Sequence, residues 1–145
     1  MDASLTGDAT EPEKRLIRHL LERGVLGASA AARAEEAGRA TSESLTTALL
    51  TLGLIGEDSL AAASSEALGL PLLGRDDLPP EPPLADRLPL RFLRRVRAYP
   101  ARVEDDGRLL LALADPLDPF AVQAVALATG MPVSAAVATP AVIET

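Results

Sequence analysis

The sequence predicts an α+β chain: an N-terminal helical repeat of helix pairs, followed by a small α-β-β-α-β sandwich with a three-stranded sheet. Three observations predict it. Leu16, Leu20, Leu21, Gly24, Val25 and Leu26 align with Leu45, Leu49, Leu50, Gly53, Leu54 and Ile55 as an internal repeat. A Pro-rich stretch at 71–87 then interrupts all helical periodicity. Beyond it, short β-rich runs flank Asp105-Asp106-Gly107, a hairpin turn signal.

Residues 1–12 lack apolar periodicity and read as a disordered tail. A helix is predicted from Glu13, because Leu16, Ile17, Leu20 and Leu21 line one face, and Gly24 stops it. An Ala-rich helix from Ser29 to Gly38 completes a first unit, 13–38. In the second unit, 39–70, Ser42 is the expected N-cap, Glu43 sits in the first turn, and Gly53 stops the helix. A further helix runs from Glu57 to the stop at Gly69. Each unit reads helix, Gly, two aliphatics, helix, with the aliphatics plugging the corner.

The Pro-rich segment 71–87 is expected to be an extended, stiff connection that wraps back over the sheet. In the small α/β domain, 88–145, Pro89 is expected at N1 of a short helix with its arginines outward. Strands are predicted at Tyr99–Glu104, Arg108–Ala114 and Pro132–Thr139. Asp115 is expected to cap the intervening helix, with Pro116 at N1 and Gly130 as its stop. The last two strands should pair in parallel through that crossover. A final helix starts at Pro140 close to the chain end, so the sequence reads as a fragment of a longer protein.

Composition narrows the function. The chain has 145 residues, no Cys, one His, two Phe and one Tyr, so the core must be aliphatic. Disulfides and Cys-built zinc sites are excluded, and a Ser-His-Asp triad would have to use His19. No apolar run is long enough to span a membrane, and no secretory signal is present, which fits a cytoplasmic module. Net charge −7 argues against nucleic-acid binding. Yet Arg87, Arg91, Arg94, Arg95, Arg97, Arg102 and Arg108 face only Glu104, Asp105 and Asp106 within one stretch. Arg91, Arg94, Arg95 and Arg97 form a candidate basic docking patch. Asp115 reads as a helix cap and Asp118 as a first-turn residue, rather than an acid–base pair.

The segments Leu49–Gly69, Leu88-Pro89 with Phe92-Leu93, and above all ADPLDPFAVQAVALATG at Ala114–Gly130 carry a resemblance. Over residues 13–145 the chain resembles the N-terminal domain of type II secretion assembly ATPases of the GspE kind (XpsE or EpsE), a group that includes the MshE and PilB pilus ATPases. The resemblance implies a non-catalytic docking domain of a hexameric cytoplasmic motor, held peripherally at the inner membrane. Its implied partners are the cytoplasmic domain of GspL, its own ATPase core and neighbouring subunits. No direct membrane insertion is implied. ATP and Mg would belong to the absent core, and no cofactor is expected here, since no G-x-x-x-x-G-K-[ST] occurs.

The same group includes domains that bind cyclic di-GMP through a tandem R-L-G-x-x-L-x-x-x-G…Q repeat. Here Arg15, Leu16, Leu20 and Gly24 match, but Ile17 and Gly38 replace the early Gly and the Gln. The second unit keeps Leu45, Leu49, Gly53 and Leu60, with Ser44, Thr46 and Ala67 in place of Arg, Gly and Gln. A cyclic di-GMP sensor is the alternative reading.

The Ala-rich helix offers Leu16, Ile17, Leu20 and Leu21 little to pack against. Apolar area should be left over there, and such area marks an interaction site. Arg15, Leu16, Ile17, Leu20, Leu21, Val25 and Leu26 are therefore the candidate partner-binding residues. The same imbalance predicts a mobile first unit, able to detach, re-dock or swap between copies.

Overall fold

The computed structural model describes residues 10–144. The expected tail lies mostly outside them, at residues 1–9. The chain forms two compact units that divide between Gly69 and Leu70.

The N-terminal unit holds four helices: α1 (Glu11–Glu22), α2 (Ala28–Thr41), α3 (Leu45–Thr51) and α4 (Glu57–Leu68). α1 starts earlier than the periodicity predicts, because Thr10 and Glu13 close a capping box over its first turn. The Glu13 carboxylate accepts from Thr10 N–H at 2.8 Å, and Thr10 Oγ1 accepts from Glu13 N–H at 3.4 Å. Pro12 fits that turn, where its missing N–H costs nothing.

Gly38 does not stop α2, contrary to expectation. The helix continues to Thr41 and ends on Ser42, which is left-handed at φ 60°. Gly38 is instead a place of close approach: a Cβ there would stand 3.0 Å from the Glu43 carbonyl oxygen. Ser42 therefore closes one helix rather than opening the next. Ser44 is the N-cap of α3, its Oγ accepting from Thr47 N–H at 3.2 Å.

The main helix pairings run across the repeats rather than within them. α1 packs on α4, and α2 packs on α3. Leu16 and Leu20 therefore bury against the second repeat, both at 0% exposure, rather than being left over by the Ala-rich helix. Ala31, Ala34 and Gly38 give α2 a smooth buried face on which Leu45, Ala48 and Leu49 of α3 can lie. Leu26 and Ile55 plug the two corners.

The C-terminal unit contains α5 (Leu90–Val96), β1 (Ala98–Val103), β2 (Leu109–Leu113), α6 (Pro119–Thr129), β3 (Val133–Val137) and α7 (Pro140–Glu144). The sheet order is β1-β2-β3. β1 and β2 pair antiparallel across the Asp-Asp-Gly turn, where Gly107 takes φ +87°. β2 and β3 pair in parallel, Leu111 opposite Ala135. Every residue of β2 is buried, as a central strand covered on both faces requires.

One sheet face carries Leu88, Leu93, Val96, Ala121 and Val125, so α5 and α6 cover it together. The other carries Leu73, Leu78, Ala112, Ala136 and Ile143. The α+β sandwich expected from the sequence is therefore present.

Three local details differ from expectation. Pro89 is the N-cap of α5 rather than its first residue. Asp118, not Asp115, caps α6, accepting from Phe120 N–H at 2.9 Å. Asp115 holds the preceding turn through Leu117 N–H at 3.1 Å.

The Pro-rich stretch belongs to this unit and is not a connection between units. Leu72 bridges Val137 in parallel, with Leu73 N–H donating to Val137 O and Val137 N–H to Pro71 O, both at 2.8 Å. Residues 71–73 thus cover part of the free edge of β3, which would otherwise offer unpaired backbone groups. Tyr99 Oη donates to Pro79 O at 2.7 Å and ties down the next turn.

Candidate docking surfaces

The first candidate surface lies along α1 and the corner after it. Leu16, Leu20 and Leu26 are core residues, at 0%, 0% and 5% exposure. Ile17 is half-buried, and Arg15 is exposed. Leu21 and Val25 are exposed at 40% and 45%. Only part of the predicted set can therefore meet a partner without unfolding the unit: Arg15, Leu21, Val25 and the outer edge of Ile17.

The corner geometry is repeated. Val25 N–H donates to Leu20 O and Leu54 N–H to Leu49 O, both at 3.0 Å, with Gly24 and Gly53 at φ +69° and +70°. This reversal presents Val25 outward while Leu26 turns in.

His19 does not point to open water, as its place on the polar side of the helix suggests. Its Nε2 meets Glu66 Oε1 at 2.9 Å, and Arg23 Nη2 donates to the same oxygen at 3.2 Å. The His19 hydrogen bond first, then the Arg23 charge, hold the Glu66 carboxyl below its usual value of 4.5. Glu66 was invisible to sequence reasoning, because nothing local links it to a residue 47 positions away.

The second candidate surface is the outer side of α5. Arg91, Arg94 and Arg95 share it and are exposed. Arg97 differs: it is left-handed at φ 57°, ends α5, and donates to Glu144 Oε2 at 3.3 Å. Arg87 leaves the cluster too, donating to Thr129 O at 3.1 Å. A recess of about 520 Å³ is lined by Pro89, Arg91, Phe92 and Arg95.

Phe120 and Leu127 of α6 are also exposed, Leu127 at 87%. The signal for them was present, since α6 is apolar almost all round and cannot bury every side.

Among the described residues no group of His, Asp or Glu is placed to hold a metal ion, and no helix is long and apolar enough to cross a membrane.

The sequence profile of the MshEN domain matches residues 68–145, which is the C-terminal unit with the end of α4. The chain belongs to the MshEN domain family. Both units have counterparts in solved structures. The N-terminal domain of XpsE superposes with TM-score 0.76 at 38% identity, covering 94% of each chain. In a second crystal form of that XpsE domain the TM-score is 0.61. A structure of MshE with cdg superposes with TM-score 0.70 at 25% identity, covering 89% of this chain and 93% of that one.

Among characterised relatives, the type II secretion system protein E of Xanthomonas campestris is 41% identical over 124 residues. The type IV pilus assembly ATPase PilB of Thermus thermophilus is 31% identical over 122 residues. These alignments take in 83% and 82% of this chain, but only 22% and 14% of those proteins. The chain thus spans about a fifth or less of the length of the relatives it matches, and its MshEN fold is that of an N-terminal domain of secretion and pilus ATPases.

Proposed function

We propose that this chain is the non-catalytic docking domain of a type II secretion ATPase. It recruits the motor to the inner-membrane platform by binding the cytoplasmic domain of GspL, and couples ATPase motion to that partner. The observation that carries this reading is the likeness to the XpsE N-terminal domain over 94% of both chains. The sequence contains no phosphate-binding loop, so ATP and Mg belong to an ATPase core that this domain meets as a partner, along with neighbouring subunits of a hexamer.

The docking residues are those of α1 and the corner after it that face outward: Arg15, Leu21 and Val25. Two exposed aliphatics near the end of α1, with an exposed guanidinium elsewhere on that helix, suit a protein partner with an apolar anchor and a charged rim. The XpsE domain fits this chain differently in its two crystal forms, which favours a domain with more than one shape. A partner that prefers one shape shifts the population, and a coupling of about 1–3 kcal/mol is enough for regulation.

Calorimetric titration with the GspL cytoplasmic domain tests this reading. The chain should bind, and Leu21→Asp with Val25→Asp should abolish binding while the thermal transition stays intact. Unchanged binding by that variant would overturn the α1 surface, and no binding by the wild-type chain would overturn the GspL assignment.

One observation favours a second reading, a cyclic di-GMP sensor: MshE, of similar fold, has been solved with cdg. Arg15 and both Gly-stopped corners are kept here, whereas Ser44, Thr46 and Ala67 replace ligand-type positions of the second repeat. Cyclic di-GMP should raise the melting temperature if this reading holds, by RT ln(1+[L]/Kd) in free energy.

A further inference from the structure

The outer side of α5 carries a charge arrangement that its own helix does not explain. Arg94 and Arg95 lie in the last turn, where cations suit the negative end of the helix. Arg91 lies in the first turn, where a cation is unfavourable. Arg91 also stands three positions from Arg94 and four from Arg95, so its charge meets like charges on one side of the helix. Among the described residues none of the three forms an ion pair with a carboxylate, although the chain has net charge −7.

The surroundings are apolar. Arg95 Cζ stands 5.8 Å from the centre of the Phe92 ring, which holds that guanidinium in place. Pro89 and Phe92 form the apolar walls of the recess. Two guanidinium forks, that of Arg95 over the Phe92 ring, with a proline wall beside them fit carboxylates flanking an apolar side chain.

We infer that the recess on α5 is a docking site for an acidic segment of another protein, its carboxylates on Arg91 and Arg95 and an apolar side chain over Phe92 and Pro89. This site lies in the C-terminal unit and does not depend on docking through α1. A small anion is a poorer occupant. The recess is walled by side chains of one short helix and its N-cap, and its Pro89 and Phe92 surfaces offer such an ion nothing.

Fluorescence anisotropy on the full chain tests this, using a labelled peptide of repeated Glu-Glu-Leu triplets, with oligoglutamate and pyrophosphate as competitors. The triplet peptide should bind saturably, weaken as salt rises, and be displaced poorly by either competitor. Arg91→Glu with Arg95→Glu should weaken it by at least about tenfold, as loss of two charge-assisted contacts requires. Phe92→Ala should remove the preference over oligoglutamate, whereas Leu90→Ala should keep it. Arg33→Glu with Arg39→Glu should leave binding unchanged.

Circular dichroism keeps folding and binding apart, and Arg91→Gln with Arg95→Gln gives a milder variant should the reversal unfold the unit. Four results would overturn the inference: no saturable binding, equal loss in the Arg33/Arg39 variant, full displacement by pyrophosphate, or equal affinity for oligoglutamate. Salt-sensitive self-association abolished by the Arg91/Arg95 variant would make the occupant a second copy, and would overturn it too.

Discussion

His19 Nε2 lies 2.9 Å from Glu66 Oε1, and this contact joins α1 to α4, the first and last helices of the N-terminal unit. Arg23 completes the cluster at 3.2 Å. Glu66 is held below its ordinary value of 4.5, so its stabilising effect is fully present above that pH. It is lost as the pH falls through the lower, folded-state value, because the unfolded chain takes up the proton first. Glu66→Gln should lower the melting temperature at neutral pH, and the gap to wild type should close on acidification below 4.5. Thermal melts across that range check it, and a gap independent of pH would rule out the ion cluster as its cause.

Leu20 and Leu21 are neighbours with opposite fates. Leu20 is fully buried, whereas Leu21 is 40% exposed. Leu20→Ala should cost about 2–5 kcal/mol through lost burial and the cavity left behind. Leu21→Ala should change stability by less than about 1 kcal/mol. Urea denaturation of both variants measures the difference.

Tyr99 Oη bonds Pro79 O at 2.7 Å, and burial, with the Glu81 charge second, pushes its hydroxyl above the usual value of 10.0. Its neutral form is the favoured one in the fold. The resulting stability is intact below pH 10 and is lost as the pH rises through the higher, folded-state value. Tyr99→Phe should cost about 1 kcal/mol at neutral pH and should remove that alkaline sensitivity. The chain has a single Tyr, so tyrosinate absorbance during an alkaline titration reports this residue alone.

Arg97 ends α5 in a left-handed conformation, which costs a residue with a Cβ about 1–2 kcal/mol. Its exposed pair with Glu144 returns less than about 1 kcal/mol. Arg97→Gly should therefore stabilise the C-terminal unit by up to about 1 kcal/mol, read as a shift in the urea midpoint.

Much of the C-terminal unit was legible because its signals are local. The Asp-Asp-Gly turn, the apolar run of β2 and Gly130 each act within a few residues. Helix starts were less legible: Thr10 caps a helix read as starting at Glu13, and Ser44 and Asp118 win as caps over Ser42 and Asp115 through hydrogen bonds that several nearby polar residues could have made. The helix pairing was not legible at all. A repeat shows that two segments are alike, but not whether each packs on itself or on the other. The α1 stripe was for that reason assigned to a partner, when α4 of the same chain covers Leu16 and Leu20. On α5, charge alone marked four arginines. Only geometry separates Arg97, which secures a helix end, from Arg91 and Arg95, which border a recess.

The crossed pairing of α1 with α4 and α2 with α3 makes the N-terminal unit a clasp rather than two beads on a string. Its two ends, at Thr10 and Gly69, leave from the same helix pair. A pull between them loads the α1–α4 seam in shear before any helix can unwind, and the inner α2–α3 pair bears no load until that seam parts. Tension should therefore open the unit in one abrupt step, with both repeats released together.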